Sequence, residues 1–238
     1  MFRFTLFRVP IEIQPWFWIT AALFGGALSA TDSLGLTRTL IYMVVITLSI
    51  LVHEFGHALT GRYLGGGTPR IILWAFGGLA YNQGARLTRG QQFWMVFMGP
   101  GAGFILLAVT MLLVFVMYGI QGGVWIISAS ALSIPLVPPT EAVIDMLENH
   151  LPRFFIFEAL IWINFWWGML NLLPVLPLDG GRIIQLWVKP PHKVFLVSAV
   201  AGALVAAAGL LMFNSLYLGL LFGFLAYRSY KDYQQSKW

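Results

Sequence analysis

Long, almost uncharged apolar runs constrain this chain more than any other feature. A hydrocarbon core about 30 Å thick is crossed by roughly 17–25 apolar residues in a helix, and runs of that kind occupy 13–30, 39–61, 92–119 and 154–178. The stretch from His192 to Tyr227 is too long for one crossing and carries Asn214 and Ser215 near its middle, which predicts helices over 192–212 and 215–227 joined by a tight turn. Only 10% of the 238 residues are charged, against roughly 25% in an ordinary soluble domain. The expectation is an all-α polytopic membrane protein with about six transmembrane helices, forming one integral membrane domain over 1–238.

Two stretches depart from this pattern. Residues 71–81 are apolar but short, contain the pair Gly77-Gly78, and lie between Pro69 and Asn82. They predict a small membrane-associated β-hairpin or re-entrant segment packed against the helices, because a lone strand edge in lipid leaves backbone groups unsatisfied. Residues 122–152 start apolar, break at Pro135, Pro138 and Pro139, and continue with Glu141, Asp145 and Glu148. That spacing suits a short interfacial helix and a solvated loop equally well.

The charges orient the chain. With the N-terminus in the cytoplasm, Arg3, Arg8, Arg62, Arg70, Arg86, Arg89, Arg182, Lys189, Lys193, Arg228, Lys231 and Lys237 all fall inside, and only Arg38 and Arg153 fall outside. This is the positive-inside pattern, and it places both termini in the cytoplasm of what reads as a prokaryotic cell membrane. The basic residues are spread between the spans and form no single patch, so topology accounts for the net charge of +5 and nucleic acid is not expected as a partner. No cleavage site follows the first span, so the opening segment reads as part of the mature protein. Trp16, Trp18, Trp162, Trp166 and Trp167 read as interface anchors and bundle packing.

The second run ends in His53-Glu54-Phe55-Gly56-His57. On a helix, His53 and His57 share one face a turn apart, so both imidazoles reach one metal, and Glu54 flanks them closely enough to act on a water there. Three ionisable groups within one turn of an apolar span are expensive to bury, which makes a functional role the default reading over a simple interhelical hydrogen bond. The chain has no Cys, so a third ligand must be His or a carboxylate. His150 and His192 read as surface or interfacial residues. Asp179 is the better candidate, held in Asn171-Leu-Leu-Pro174-Val-Leu-Pro177-Leu-Asp179-Gly180-Gly181-Arg182, where two prolines stop a regular helix and the glycine pair allows a sharp turn. An Asp in such a turn more often caps a helix. The topology favours the ligand, because the second and fourth spans both run inward and bring His57 and Asp179 to the same, cytoplasmic, end.

Together these two motifs resemble the site-2 protease family of intramembrane zinc metalloproteases, and the resemblance extends from the second span through Arg182. It implies one Zn2+ per chain bound by His53, His57 and Asp179, with Glu54 as general base, acting on transmembrane protein or peptide substrates in the bilayer. It also implies substrate contacts at Gly77 and Gly78, whose stretch is similar to a membrane-embedded strand near the family's active site, a simple turn being the alternative; Asn171 suits a hydrogen bond to the substrate backbone or the developing oxyanion and, equally, a helix–helix bond. The family often carries Gly-Pro-x-x-Asn in its third span; here the stretch is Gly99-Pro100-Gly101-Ala102-Gly103, with a glycine in place of the Asn. Two other readings stand beside this one: an ion or proton transporter using the same His and Asp groups, and an inactive family member that binds membrane proteins. Neither the substrate nor the oligomeric state is written in the sequence.

Overall fold

Backbone polarity has to be satisfied within the chain wherever lipid surrounds it, and the chain does so with helices and one small sheet. The computed structural model describes residues 1–84 and 86–236; Lys237, counted above among the inside charges, lies outside them. The described chain divides into two units, one of residues 1–87 and 98–168 and one of residues 88–97 and 169–238.

The first unit opens with a sheet in the order β1-β2-β3-β4. Strands β1 (Phe2–Leu6) and β2 (Val9–Ile13) form an antiparallel hairpin. Its two-residue turn puts Phe7 and Arg8 at φ 51° and 60°, the left-handed pair that a tight hairpin demands. Strands β3 (Thr68–Trp74) and β4 (Gly77–Gln83) form a second hairpin, and β2 joins the two by pairing parallel to β3, Ile11 opposite Ile71. Alternation puts Val9, Ile11, Ile13, Ile71 and Leu73 on the buried face, in one apolar cluster with Phe17, Tyr42, Val45, Ile50 and Ala58. Glu12 accepts hydrogen bonds from Arg3 (3.1 Å) and Arg70 (2.7 Å). Burial works against its charge, but the two guanidinium groups outweigh that and hold the carboxyl below the usual carboxylate range.

Helix α1 (Pro15–Phe24) follows the sheet, and α2 (Ser33–Gly65) starts where the Asp32 carboxylate accepts from the Gly35 amide at 2.7 Å. At 1.5 Å per residue, α2 is about 50 Å long. Helix α3 (Arg89–Leu132) breaks its line at Gly119, φ 67°, where the third span was expected to end. Helices α4 (Glu141–Asn149) and α5 (Leu151–Asn171) complete the unit's helical part. Of the 122–152 stretch, 141–149 is a short helix, with Val143 and Met146 buried one turn apart.

The second unit contains α6 (Asp179–Trp187), α7 (Pro191–Leu211) and α8 (Leu216–Gln235). The expected turn between the last two helices is present: Asn214 has φ 47° and the Ser215 hydroxyl accepts from the Leu218 amide at 3.3 Å.

Two expectations need correction. The sheet has four strands where one hairpin was expected, because 9–13 is strand, and the run expected as a first span over 13–30 is a ten-residue helix followed by a short 3-10 turn at Ala27–Ser29. The run expected over 154–178 leaves the helix at Asn171, since Pro174 and Pro177 forbid its continuation. Among the described residues, α2, α3, α5 and α7 are the helices long and apolar enough to cross a membrane. The apolar part of α8 is short, because Arg228, Lys231 and Asp232 occupy its second half.

Candidate metal centre

The candidate site residues of the first unit cluster at 53–57 of α2. His53, Glu54 and His57 are all buried, at 3%, 4% and 9% exposure, which is unusual for charged or titratable groups unless they have partners. A helical repeat of 3.6 brings residues four apart to one face, and the two imidazole Nε2 atoms lie 3.2 Å apart with the rings edge-on at 81°. Two nitrogens each about 2.05 Å from a tetrahedral zinc would be about 3.3 Å apart. The pair therefore fits two ligand positions of such an ion.

Four glycines shape the surroundings, each by lacking a side chain. A Cβ on Gly78, at the start of β4, would overlap the Glu54 side chain, so the strand's backbone lies directly over the carboxylate arm. A Cβ on Gly99 of α3 would overlap the His57 imidazole, and one on Gly56 would run into the Met98 carbonyl. Gly77 has φ 123°, and a Cβ there would lie 2.8 Å from the Trp167 ring. Strand β4 is further tied to α2 by Asn82, whose amide donates to the Ala58 carbonyl at 3.2 Å. One turn before His53, the Ser49 hydroxyl accepts from the Asn164 amide at 3.0 Å, and Asn164 also donates to Leu160 at 2.8 Å. A Cβ at Gly103, where the resembled motif has Asn, would lie 3.5 Å from Asn164 Oδ1.

The structure thus brings His53, Glu54, His57, Gly77 and Gly78 together in one unit. Asp179 and Asn171 belong to the other. There Asn171 ends α5 and Asp179 opens α6, 4% exposed, in the first turn. Asp179 is the first residue of α6, one position past the N-cap Leu178. The loop before it is tightly wound: a Cβ on Gly180 would overlap the Leu172 carbonyl, and one on Gly181 would lie 2.6 Å from the Val175 backbone. His150 is exposed at the end of α4, and within the second unit the His192 ring lies 6.2 Å from that of Tyr233. Sequence reasoning missed Gly56, Gly99 and Asn164. A glycine inside a helix signals close approach in general, but not which side chain it approaches.

Comparison with known proteins points to one family. The model of Peptidase family M50 matches residues 41–216. A Mycobacterium tuberculosis protein named "Putative zinc metalloprotease Rip3" is 27% identical over 167 residues, covering 68% of this chain and 36% of that protein. Stage IV sporulation protein FB of Bacillus subtilis is 24% identical over 234 residues, covering 94% of this chain and 66% of that protein. The chain therefore spans about a third to two thirds of these relatives' lengths. In fold, the chain is similar to the solved structure of a site-2 protease from Methanocaldococcus jannaschii, with a TM-score of 0.57 at 19% identity, covering 97% of this chain and 94% of that one.

Proposed function

The chain belongs to peptidase family M50, the site-2 proteases, and on that premise we propose that it is an intramembrane zinc metalloprotease that hydrolyses peptide bonds within transmembrane segments of membrane-anchored substrates. The observation that carries the reading is the buried histidine pair, with Nε2 atoms 3.2 Å apart, next to a glutamate that lies under the backbone of Gly78.

In this reading His53, His57 and Asp179 would hold one zinc ion. When bound, zinc lowers the pKa of a coordinated water to about 7 and polarises the scissile carbonyl. Glu54 takes the proton from the attacking water as its oxygen bonds to the carbonyl carbon, and returns it to the amine nitrogen as the C–N bond breaks. A substrate helix keeps its carbonyls in its own hydrogen bonds, so it must open before attack. Strand β4 is an edge of the sheet, and Gly77 and Gly78 at its start would receive the opened segment by strand addition. Asn171 hydrogen-bonds the substrate backbone.

In this reading Arg62, Arg70, Arg86 and Arg89, which follow the histidine pair, place the Gly61 end of α2 on the cytoplasmic side. His57 lies about 6 Å, and His53 about 12 Å, along the helix from Gly61. The scissile bond then falls in the cytoplasmic half of the substrate span, near helix-weakening residues.

Metal analysis of the purified protein, combined with cleavage of a panel of single-span substrates, tests the reading. The expected result is one zinc per chain and products cut in the cytoplasmic half of the span. Ion flux without hydrolysis would favour the transporter reading, and cuts clustered in the outer half would refute the orientation.

A further inference from the structure

We infer that Ser198 is a positioning residue for the loop that carries Asp179, and that the α7–α8 hairpin is the seat on which that loop is set. The inference rests on the metal reading proposed above and concerns the second unit alone. Between Asn171 and Asp179 the chain has no regular structure to hold it, and its two prolines have no amide hydrogens to offer. Backbone bonds tie it to itself, the Val175 amide donating to the Leu173 carbonyl at 2.7 Å and the Leu178 amide to the Val175 carbonyl at 2.8 Å, and the hairpin anchors it from outside. Val175 is fully buried and inserts into an apolar cluster with Ala206, Phe222 and Leu225 of the hairpin. The next residue, Leu176, donates its amide to the Ser198 hydroxyl of α7 at 2.7 Å. That hydroxyl is bonded in turn to Ser229 of α8 at 2.8 Å, and the two serines are 0% and 3% exposed.

The close crossing of the helices makes this relay possible. Gly202, one turn after Ser198, would bring a Cβ to 3.1 Å from that of Ala226. Small residues at this level let two short hydroxyls meet between the helices. In a water-poor setting a backbone amide has no solvent substitute, so the bond to Ser198 fixes Leu176 more firmly than an exposed bond would. Three residues later stands Asp179, and a shift at Leu176 passes to it through a close-packed turn, because Gly181 leaves no room on its inner side: a Cβ there would lie 2.6–2.7 Å from the Val175 and Leu176 backbone.

The test is zinc affinity of the full-length protein, measured by competition with a chromophoric chelator, together with hydrogen exchange at the Leu176 amide. Ser198→Ala removes only the hydroxyl that accepts from Leu176. It should speed exchange at Leu176 and weaken zinc binding on the order of tenfold, the effect typical of losing a group that orients a ligand. Gly202→Ala presses on Ala226 without touching the hydroxyls and should leave zinc affinity within about twofold of the parent. Equal weakening by both variants would mean general loosening of the hairpin and would overturn the proposal. So would unchanged zinc affinity in Ser198→Ala. Absence of zinc from the parent would overturn the metal reading itself, and the proposal with it.

Discussion

Replacing Gly78 by alanine separates the chemistry of Glu54 from the integrity of the fold. Gly78 does not have positive φ, in contrast to Gly77 at 123°, so the substitution adds one methyl group without straining the backbone. That methyl would overlap the Glu54 Cγ, Cδ and Oε1, where packed carbons sit about 3.5 Å apart. The carboxylate must swing aside by about an ångström. Glutamate has flexible torsions, and an off-rotamer side chain costs about 0.5–1.5 kcal/mol, so the loss of stability should stay within the 1–3 kcal/mol or so typical of overpacking. Chemistry is less tolerant: a misplacement of this size costs on the order of 10²-fold in rate, or about 2.7 kcal/mol of transition-state stabilisation. Gly78→Ala should therefore lower kcat about a hundredfold while zinc content stays at the parent level. The assay is cleavage of a reconstituted single-span substrate with metal analysis on the same preparation. A kcat within threefold of the parent would refute the reasoning, and loss of zinc would show that the strand supports the ligands instead of the base.

Glu54→Gln should abolish proteolysis with zinc stoichiometry nearly unchanged, as expected of a proton carrier that is not a ligand; metal analysis decides it. Asp179→Ala should weaken zinc binding strongly and Asp179→Asn less, through loss of the anionic ligand; zinc bound as tightly as by the parent would place the third ligand elsewhere. Gly99→Ala sets a methyl group against the His57 ring, so it should lose zinc together with activity, the opposite signature to Gly78→Ala.

Much of this site is legible in the sequence because its chemistry is local. The helical repeat alone places His53 and His57 on one face, and the glycine pair within 71–81 marks a hairpin that the structure contains as β3 and β4. The N-terminal strands are not legible in the same way. Val9-Pro10-Ile11-Glu12-Ile13 runs without a break into an apolar stretch, and hydropathy registers burial regardless of conformation. What makes these residues a strand is pairing with β3, a partner that lies 58 residues away at the Arg70–Glu12 contact. The end of α5 is hidden for a related reason: Leu172, Leu173, Val175, Leu176 and Leu178 are as apolar as a helix core, yet prolines turn them into a loop.

The glycines carry the least legible part of the design, and they explain how the polar groups are accommodated. Charged or polar side chains in an apolar span need walls of protein, since lipid offers them no hydrogen bonds. Backbone is the thinnest wall available and carries dipoles of its own. On α2, Glu54 is covered by the backbone of Gly78 and His57 by that of Gly99, while Gly56 lets the Met98 carbonyl come into contact with the helix. Each of these contacts exists only where a side chain is missing. Adding a single methyl at Gly78 or Gly99 therefore strains the Glu54 or His57 side chain before it strains any apolar packing, so the sequence's smallest residues set the tolerance of its most reactive ones.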